Sequence, residues 1–147
     1  MEGFNKPQFK YICYMMSNSL SDLAYCAGLF DGEGCITLTR DSESNYRLRI
    51  KITSTDYSVL EWLQEHFDGY IHLSRKESEY NKEAWDWICK VEDQVVFLFG
   101  ILPYTIIKRA QIIEALNYHF EKQNGGKLTE DEYKLRSAYY ERLKTLK

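Results

Sequence analysis

The sequence predicts an α+β fold in which helices alternate with pairs of strands, within one domain that spans residues 1–147. Three observations lead to this prediction. Apolar and polar residues alternate with a period of two in four segments, as in half-buried strands. Apolar residues recur at helical spacing between and after these segments. No linker rich in proline, glycine or serine divides the chain, whose length suits one hydrophobic core.

The first helix follows an N-terminal extension, residues 1–18, for which the sequence gives no structural prediction. Ser19 or Ser21 can cap this helix, because a serine hydroxyl accepts a hydrogen bond from the first turn. The helix is predicted to end near Phe30, where Gly32 and Gly34 allow the chain to turn into a strand.

Two strand pairs, each predicted to form a hairpin, flank a helix at Asp56–Phe67 that ends before a glycine. The four predicted strands are Cys35–Arg40, Tyr46–Thr53, Tyr70–Lys76 and Ala84–Val91. In the third strand, Ile71 and Leu73 are expected in the core. In the fourth, Trp85, Trp87 and Cys89 are expected in the core, which leaves Asp86 exposed.

Three further helices complete the predicted order helix-strand-strand-helix-strand-strand-helix. Pro103 separates the segment Asp93–Leu102 from the segment Tyr104–Phe120, because proline cannot continue a helix from within. A capping box formed by Thr129 and Glu132 opens the last helix, which is predicted to reach about Leu146.

The composition excludes several classes of protein. No apolar run reaches the length of a membrane span, and the apolar run at 9–16 is too short for a convincing signal peptide. The 4 cysteines form no CxxC pair, which favours free thiols in a reducing compartment. We therefore expect an intracellular protein, cytoplasmic or organellar, that is neither secreted nor bound to a membrane.

The charge of the chain is sorted along its length, although its net value is only −3. Arg47, Arg49 and Lys51 alternate with apolar residues, so all three cations share one face of a strand. Like charges on one sheet face repel each other unless anions compensate them. The compensating groups are either local acidic side chains on a solvated surface or the phosphates and base edges of a nucleic acid.

Two acidic residues, Asp31 and Glu33, stand where the first helix gives way to the first strand. Their spacing of two prevents them from sharing one helical face. Ala24, Ala27 and Gly28 precede them, and such small residues allow another backbone to approach closely. The alternatives are an ordinary acidic turn with packing inside the domain, or half of a metal site completed by a second chain.

The segment Cys26–Gly34, CAGLFDGEG, resembles the motif of LAGLIDADG homing endonucleases, and the order of elements resembles the whole single-motif domain of that family. Leu102–Leu116 is similar to the family segment in which a proline precedes a basic residue. The resemblance implies a four-stranded antiparallel DNA-binding sheet under helices. Since only one motif is present, it also implies a homodimer, whose interface would contain Ala24, Ala27, Gly28 and Gly32.

The resemblance also implies roles for five residues of the active site. Glu33 matches the metal-binding acid, and Gly32 would offer its carbonyl oxygen beside the metal. Asp31 matches the first acidic position, which has a more structural role, and Lys108 matches the basic residue near the scissile phosphate. Ser54 falls where the family often has a water-orienting glutamine. Glutamate at position 33 and serine at position 54 depart from the commonest family residues.

The implied function is site-specific cleavage of double-stranded DNA at a long pseudo-palindromic site, with Mg²⁺ as cofactor and Mn²⁺ as a substitute. The expected DNA contacts are polar or charged residues of the sheet and its edges. They are Thr37, Thr39, Arg40, Arg47, Arg49, Lys51, Tyr70, His72, Ser74, Lys76, Asp86 and Lys90.

Three other functions remain open on the same scaffold. The chain could be an intron-splicing maturase that binds RNA, a DNA-binding regulator, or an inactive interaction domain, and the negative net charge is compatible with the last of these. Metal-dependent cleavage of DNA distinguishes the endonuclease from all three.

Overall fold

The computed structural model describes residues 17–41 and 45–147. The N-terminal extension up to residue 16 and the middle of the first hairpin turn, 42–44, lie outside the described residues. Five α-helices and four strands form the described fold. They are α1 (Leu20–Glu33), β1 (Gly34–Arg40), β2 (Tyr46–Ser54), α2 (Tyr57–Phe67), β3 (Tyr70–Arg75), β4 (Ala84–Ile88), α3 (Gln94–Ile101), α4 (Arg109–Glu121) and α5 (Glu130–Thr145).

The strands form one antiparallel sheet in the order β1-β2-β4-β3, which confirms the predicted α+β architecture. One face of the sheet carries Ile36, Ile50, Ile52 and Trp87, all fully buried, and a single core cluster joins them to the helices. The other face carries the alternate, mostly polar residues. No helix of the described residues is long and apolar enough to cross a membrane.

Helix α1 is three residues longer than the sequence predicts, so Asp31, Gly32 and Glu33 lie within it. Ser19 caps it in a full capping box with Asp22. The helix ends at Gly34, whose amide N–H still donates to the carbonyl oxygen of Phe30. A Cβ atom at position 34 would overlap both the ring and the carbonyl oxygen of Phe30. Glycine is therefore required where the chain leaves the helix and enters β1.

Replacing Gly34 with alanine should destabilise the protein by about 1–3 kcal/mol, because the added methyl group must displace Phe30, a fully buried core residue. Chemical denaturation measures this loss. Ser74→Ala, at an exposed position of β3, is the control and should change stability by less than about 0.5 kcal/mol. Equal stability of the two variants would contradict the packing at Gly34.

Strand β3 is shorter and more exposed than predicted. It ends at Arg75 after an irregularity in its pairing with β4. Leu73 is 42% exposed and Ile71 is only half-buried, although the sequence places both in the core. The reason is the position of β3 at the edge of the sheet, where only one strand pairs with it. Strand β4 likewise ends at Ile88 rather than Val91.

The segment after Pro103 is not the continuous helix that its pattern predicts. A 3₁₀ turn spans Leu102–Tyr104, Thr105 is extended, and α4 begins only at Arg109. The last helix begins at the predicted Thr129 cap, but its capping box forms only in part. Glu132 instead accepts hydrogen bonds from the backbone N–H of Gln123 and from Arg136.

Candidate functional site

The C-terminal end of α1 directs its two carboxylates to different surroundings. Glu33, the last residue of the helix, is exposed, and its side chain makes no hydrogen bond or ion pair with any described residue. Asp31 is partly covered and faces the loop before α4. Since residues two apart lie on opposite sides of a helix, one acid is free for a ligand while the other is engaged within the chain.

Asp31 holds the loop that carries Lys108. Its carboxylate accepts the backbone N–H of Ile106 at 2.8 Å and that of Lys108 at 2.9 Å. Partial burial acts to raise the pKa of Asp31, but the N–H groups of Lys108, Ile106 and Ile107 and the charge of Lys108 outweigh it and hold the pKa below its usual range. The interaction also explains why residues 105–108 are not helical.

Replacing Asp31 with asparagine should lower the free energy of unfolding by about 1–3 kcal/mol at pH 7, because one backbone N–H loses its partner. The pKa of Asp31 is lower in the folded than in the unfolded chain. Its stabilising effect is therefore complete above the unfolded value of about 3.8 and disappears as the pH falls through the folded value. Denaturation from pH 7 to pH 2.5 should show the two proteins converging in acid.

Asp131→Asn, in exposed surroundings on α5, is the control and should change stability by less than about 0.5 kcal/mol. If the free energy of unfolding of Asp31→Asn stays below that of the wild type by the same amount down to pH 2.5, the stabilising effect of Asp31 does not depend on an ionised carboxylate.

The carbonyl group of Gly32 lies beside Glu33 at the end of α1. The last amide N–H of the helix, that of Gly34, donates to Phe30, so the carbonyl group of Gly32 has no partner within the helix. One carboxylate and one adjacent carbonyl are hard oxygen donors. The described residues contain no group of three or more acidic, histidine or cysteine side chains that could hold a metal alone.

The other two predicted active-site residues lie at the ends of neighbouring elements. Lys108 is half-buried and precedes the first turn of α4. Ser54 ends β2, and its hydroxyl accepts the backbone N–H of Asp56 at 3.0 Å. This hydrogen bond stabilises the turn into α2. Ser54 therefore has a structural role in addition to the expected role in orienting water.

The polar face of β1 and β2 presents cations next to threonines. Arg49 lies opposite Thr37, and Arg47 lies opposite Thr39, whose hydroxyl donates to the carbonyl oxygen of Arg47. Both arginines are exposed, and neither forms an ion pair with a described residue. Within the described part of the chain, no acidic side chain therefore compensates these two charges.

Asp86 is buried at the centre of this face, where the sequence predicts an exposed residue; it is only 3% exposed. Thr53 donates to one of its oxygens, and Lys51 donates to the other at 3.1 Å, with His72 3.7 Å away. Burial acts to raise the pKa of Asp86, but Thr53 and Lys51 stabilise the carboxylate and keep the pKa below its usual range. The sequence prediction did not include Thr53, although Thr53 lies two positions after Lys51 and therefore shares its face of β2.

The remaining predicted contacts are distributed unevenly. Tyr70, His72 and Ser74 are exposed on the polar side of β3, and Lys76 lies in the loop beyond it. Lys90 also lies outside the strands and pairs with Asp68 at 2.6 Å.

Arg40 lies on the helix side of β1, in register with the buried Ile36 and Leu38. Its guanidinium stands over the rings of Tyr46 and Tyr133, at 5.8 and 5.7 Å from their centres. The Arg40 guanidinium is therefore directed away from the polar face that carries Arg47 and Arg49.

The outer side of α1 carries a row of residues spaced by four: Leu20, Ala24, Gly28 and Gly32. All four are exposed, and a Cβ atom at either glycine would meet nothing within 4 Å. Ala27, which the sequence predicts in the same interface, is instead fully buried in the core of its own chain. The row leaves one smooth side of α1 uncovered by the described residues.

A fold of this kind, with an acidic helix end beside a cationic antiparallel sheet, belongs to a known class. The family model described as LAGLIDADG endonuclease matches residues 26–108, more than half of the chain. The chain therefore belongs to the LAGLIDADG endonuclease family, as the motif predicts. No curated protein sequence matches it significantly.

Solved structures of homing endonucleases share the fold. The homing endonuclease I-CvuI, in complex with a DNA target in the presence of Mg, is 18% identical with a TM-score of 0.68, over 85% of this chain and 81% of that one. The archaeal intron-encoded I-Vdi141I, complexed with DNA, is 18% identical with a TM-score of 0.66, over 85% and 83%. The meganuclease I-AabMI, bound to uncleaved DNA, is 20% identical with a TM-score of 0.60, but this chain covers only 43% of it.

Proposed function

We propose that this protein is a homodimeric, metal-dependent endonuclease that cuts double-stranded DNA at a long, nearly palindromic site. The observation that carries the proposal is the pair of hydrogen bonds that the Asp31 carboxylate accepts from the backbone of Ile106 and Lys108. These bonds hold the loop of Lys108 at the same end of α1 as the Glu33 carboxylate. This arrangement supports a role for Glu33 as the metal-binding acid and for Lys108 as the cation that offsets the charge of the phosphate.

The donors at the end of α1 suit a hard divalent cation. The Glu33 carboxylate and the Gly32 carbonyl would hold Mg²⁺, or Mn²⁺ in its place, because both ions prefer oxygen ligands. One chain supplies too few ligands, so a second copy and the DNA phosphates would complete the set. When bound, the metal would activate water and stabilise charge on the phosphate oxygens.

The side chains of the protein position the DNA and offset its charge. The polar face of the sheet would lie in the major groove, which is wide enough for a two-stranded ribbon. Arg47 and Arg49 would contact phosphates or bases there. Lys108 would stabilise the negative charge that develops on the scissile phosphate, and Ser54 would orient a water molecule near it.

The exposed row on α1 supports assembly as a dimer. Gly28 lowers helix stability by about 1 kcal/mol relative to alanine, and nothing within the described chain requires a glycine at this position. A second copy of α1 could approach closely along this row and bring two Glu33 carboxylates together. The twofold symmetry of such a dimer would match a nearly palindromic site.

Among the described residues, Cys26, Cys35 and Cys89 form no disulfide bond, which suits a reducing, intracellular compartment.

Incubation of the protein with a randomised library of duplex DNA and Mg²⁺ tests this proposal. We expect recovery of cut molecules that share one nearly palindromic sequence, with both strands cut, and no cutting in EDTA. Binding to a defined duplex without any cutting, in Mg²⁺ or Mn²⁺, would favour a DNA-binding regulator. Preferential binding of structured RNA without DNA cleavage would favour a maturase.

A further inference from the structure

Lys51 differs from the two arginines that precede it on β2 because a buried acid holds it in place. Its ammonium donates to Asp86, whose side chain is 4% exposed, while its own side chain is 30% exposed. Asp86 also accepts a hydrogen bond from the Thr53 hydroxyl, so a second residue of β2 fixes the carboxylate. Only one of the three ammonium hydrogens is used by Asp86, which leaves two donors to point from the face.

The pair of Lys51 and Asp86 carries little net charge at the centre of the polar face. Arg47 and Arg49 form no ion pair with a described residue, so they can provide the long-range attraction to phosphates. A neutralised lysine contributes weakly to such attraction. Its orientation, however, is fixed before any ligand binds, and directional donors are the feature that distinguishes base edges.

The register places Lys51 close to the catalytic end of the sheet. Lys51 lies opposite Cys35, which follows Glu33 by two positions, whereas Arg47 lies opposite Thr39. At about 3.4 Å per residue, Arg47 is roughly 14 Å farther along the strand. A base contacted by Lys51 therefore lies near the scissile phosphate, and those contacted by Arg47 lie toward the outer end of the site.

We propose that Asp86 is a positioning residue that directs the ammonium of Lys51 toward a guanine in the base pairs nearest the cut. Guanine presents two acceptors, O6 and N7, in the major groove, and lysine is one of the side chains that pair with them. This inference rests on the proposed function, because it assigns a specificity-determining contact within the same DNA interface.

Binding by the full-length protein tests the proposal, with Ca²⁺ in place of Mg²⁺ to prevent cutting. The probes are duplexes of the selected site with each base pair changed in turn, at several salt concentrations. Lys51→Met should lose about tenfold discrimination for guanine at one position of each half-site. Asp86→Asn should lose the same discrimination. It should also bind unrelated DNA more tightly with a steeper salt dependence, because it frees one positive charge.

The double variant Lys51→Met with Asp86→Asn should discriminate no worse than Lys51→Met alone, since the acid acts through the lysine. Glu79→Gln, in the exposed loop between β3 and β4, makes the same charge change and should leave base preference unaltered. Thermal unfolding identifies any variant that fails to fold. If Asp86→Asn fails to fold, the base preference of Lys51→Met alone tests the proposal.

Two results overturn the proposal. One is full discrimination by Lys51→Met at every position. The other is a uniform loss of affinity by Asp86→Asn with unchanged discrimination, which would make Asp86 a purely structural residue. If the wild-type protein selects a site and only the variants behave in these ways, the inference fails while the proposed function stands. If the wild-type protein selects no DNA, both fail.

Discussion

Replacing Glu33 with glutamine should reduce DNA cleavage by at least about 10³-fold while leaving DNA binding within a few fold of the wild-type value. Glutamine has nearly the same size but no charge, so it is a poor ligand for a divalent cation. The Glu33 side chain is exposed and makes no hydrogen bond or ion pair with the described residues, so the fold should not change. Cleavage of the selected duplex and gel-shift binding measure the two effects separately.

Glu141→Gln, at an exposed position of α5, is the matched control and should cut at the wild-type rate. Higher Mn²⁺ concentrations should rescue Glu33→Gln only in part, because the carbonyl donors remain. Cleavage by Glu33→Gln at the wild-type rate would show that this carboxylate does not hold the metal and would refute the proposed active site.

Much of the fold could be predicted from the sequence because local patterns determine it. The period-two segments became the four strands in an antiparallel sheet, and Ser19 and Thr129 cap helices as their hydroxyls predict. The errors arose where distant residues decide the local structure. Residues 105–108 have a helical pattern, but the carboxylate of Asp31, more than 70 positions away in sequence, accepts the N–H groups of Ile106 and Lys108 and holds this segment out of the helix.

The site could be predicted less fully, because alternation gives the face of a residue but not its exposure. The pattern places Asp86 on the polar face, and only the pairing of β4 with both β2 and β3 shows that Lys51, Thr53 and His72 surround it. Helical spacing equally failed to separate Ala27, which is buried, from Gly28, which is exposed. The difference depends on which side of α1 meets the sheet, and small residues on both sides conceal it.

A larger side chain at Gly28 should separate the chains of the proposed dimer without unfolding either one. A Cβ atom there meets nothing within 4 Å inside the chain, so Gly28→Phe should still fold, with the helix content of the wild type. The phenyl ring would stand between two closely packed helices. We expect dimerisation to weaken at least about 100-fold, which corresponds to about 2.7 kcal/mol, and cleavage to fall in parallel.

Ala138→Phe is the matched control, because it adds a ring at an exposed position of α5 and should leave both assembly and cleavage unchanged. Analytical ultracentrifugation over a range of concentrations measures the association, and activity assays at the same concentrations relate cleavage to the dimer fraction. At concentrations high enough to restore the dimer, part of the cleavage should return, because Gly28 contributes to assembly rather than to the chemistry. A Gly28→Phe protein that remains dimeric and active would show that the outer side of α1 is not the interface.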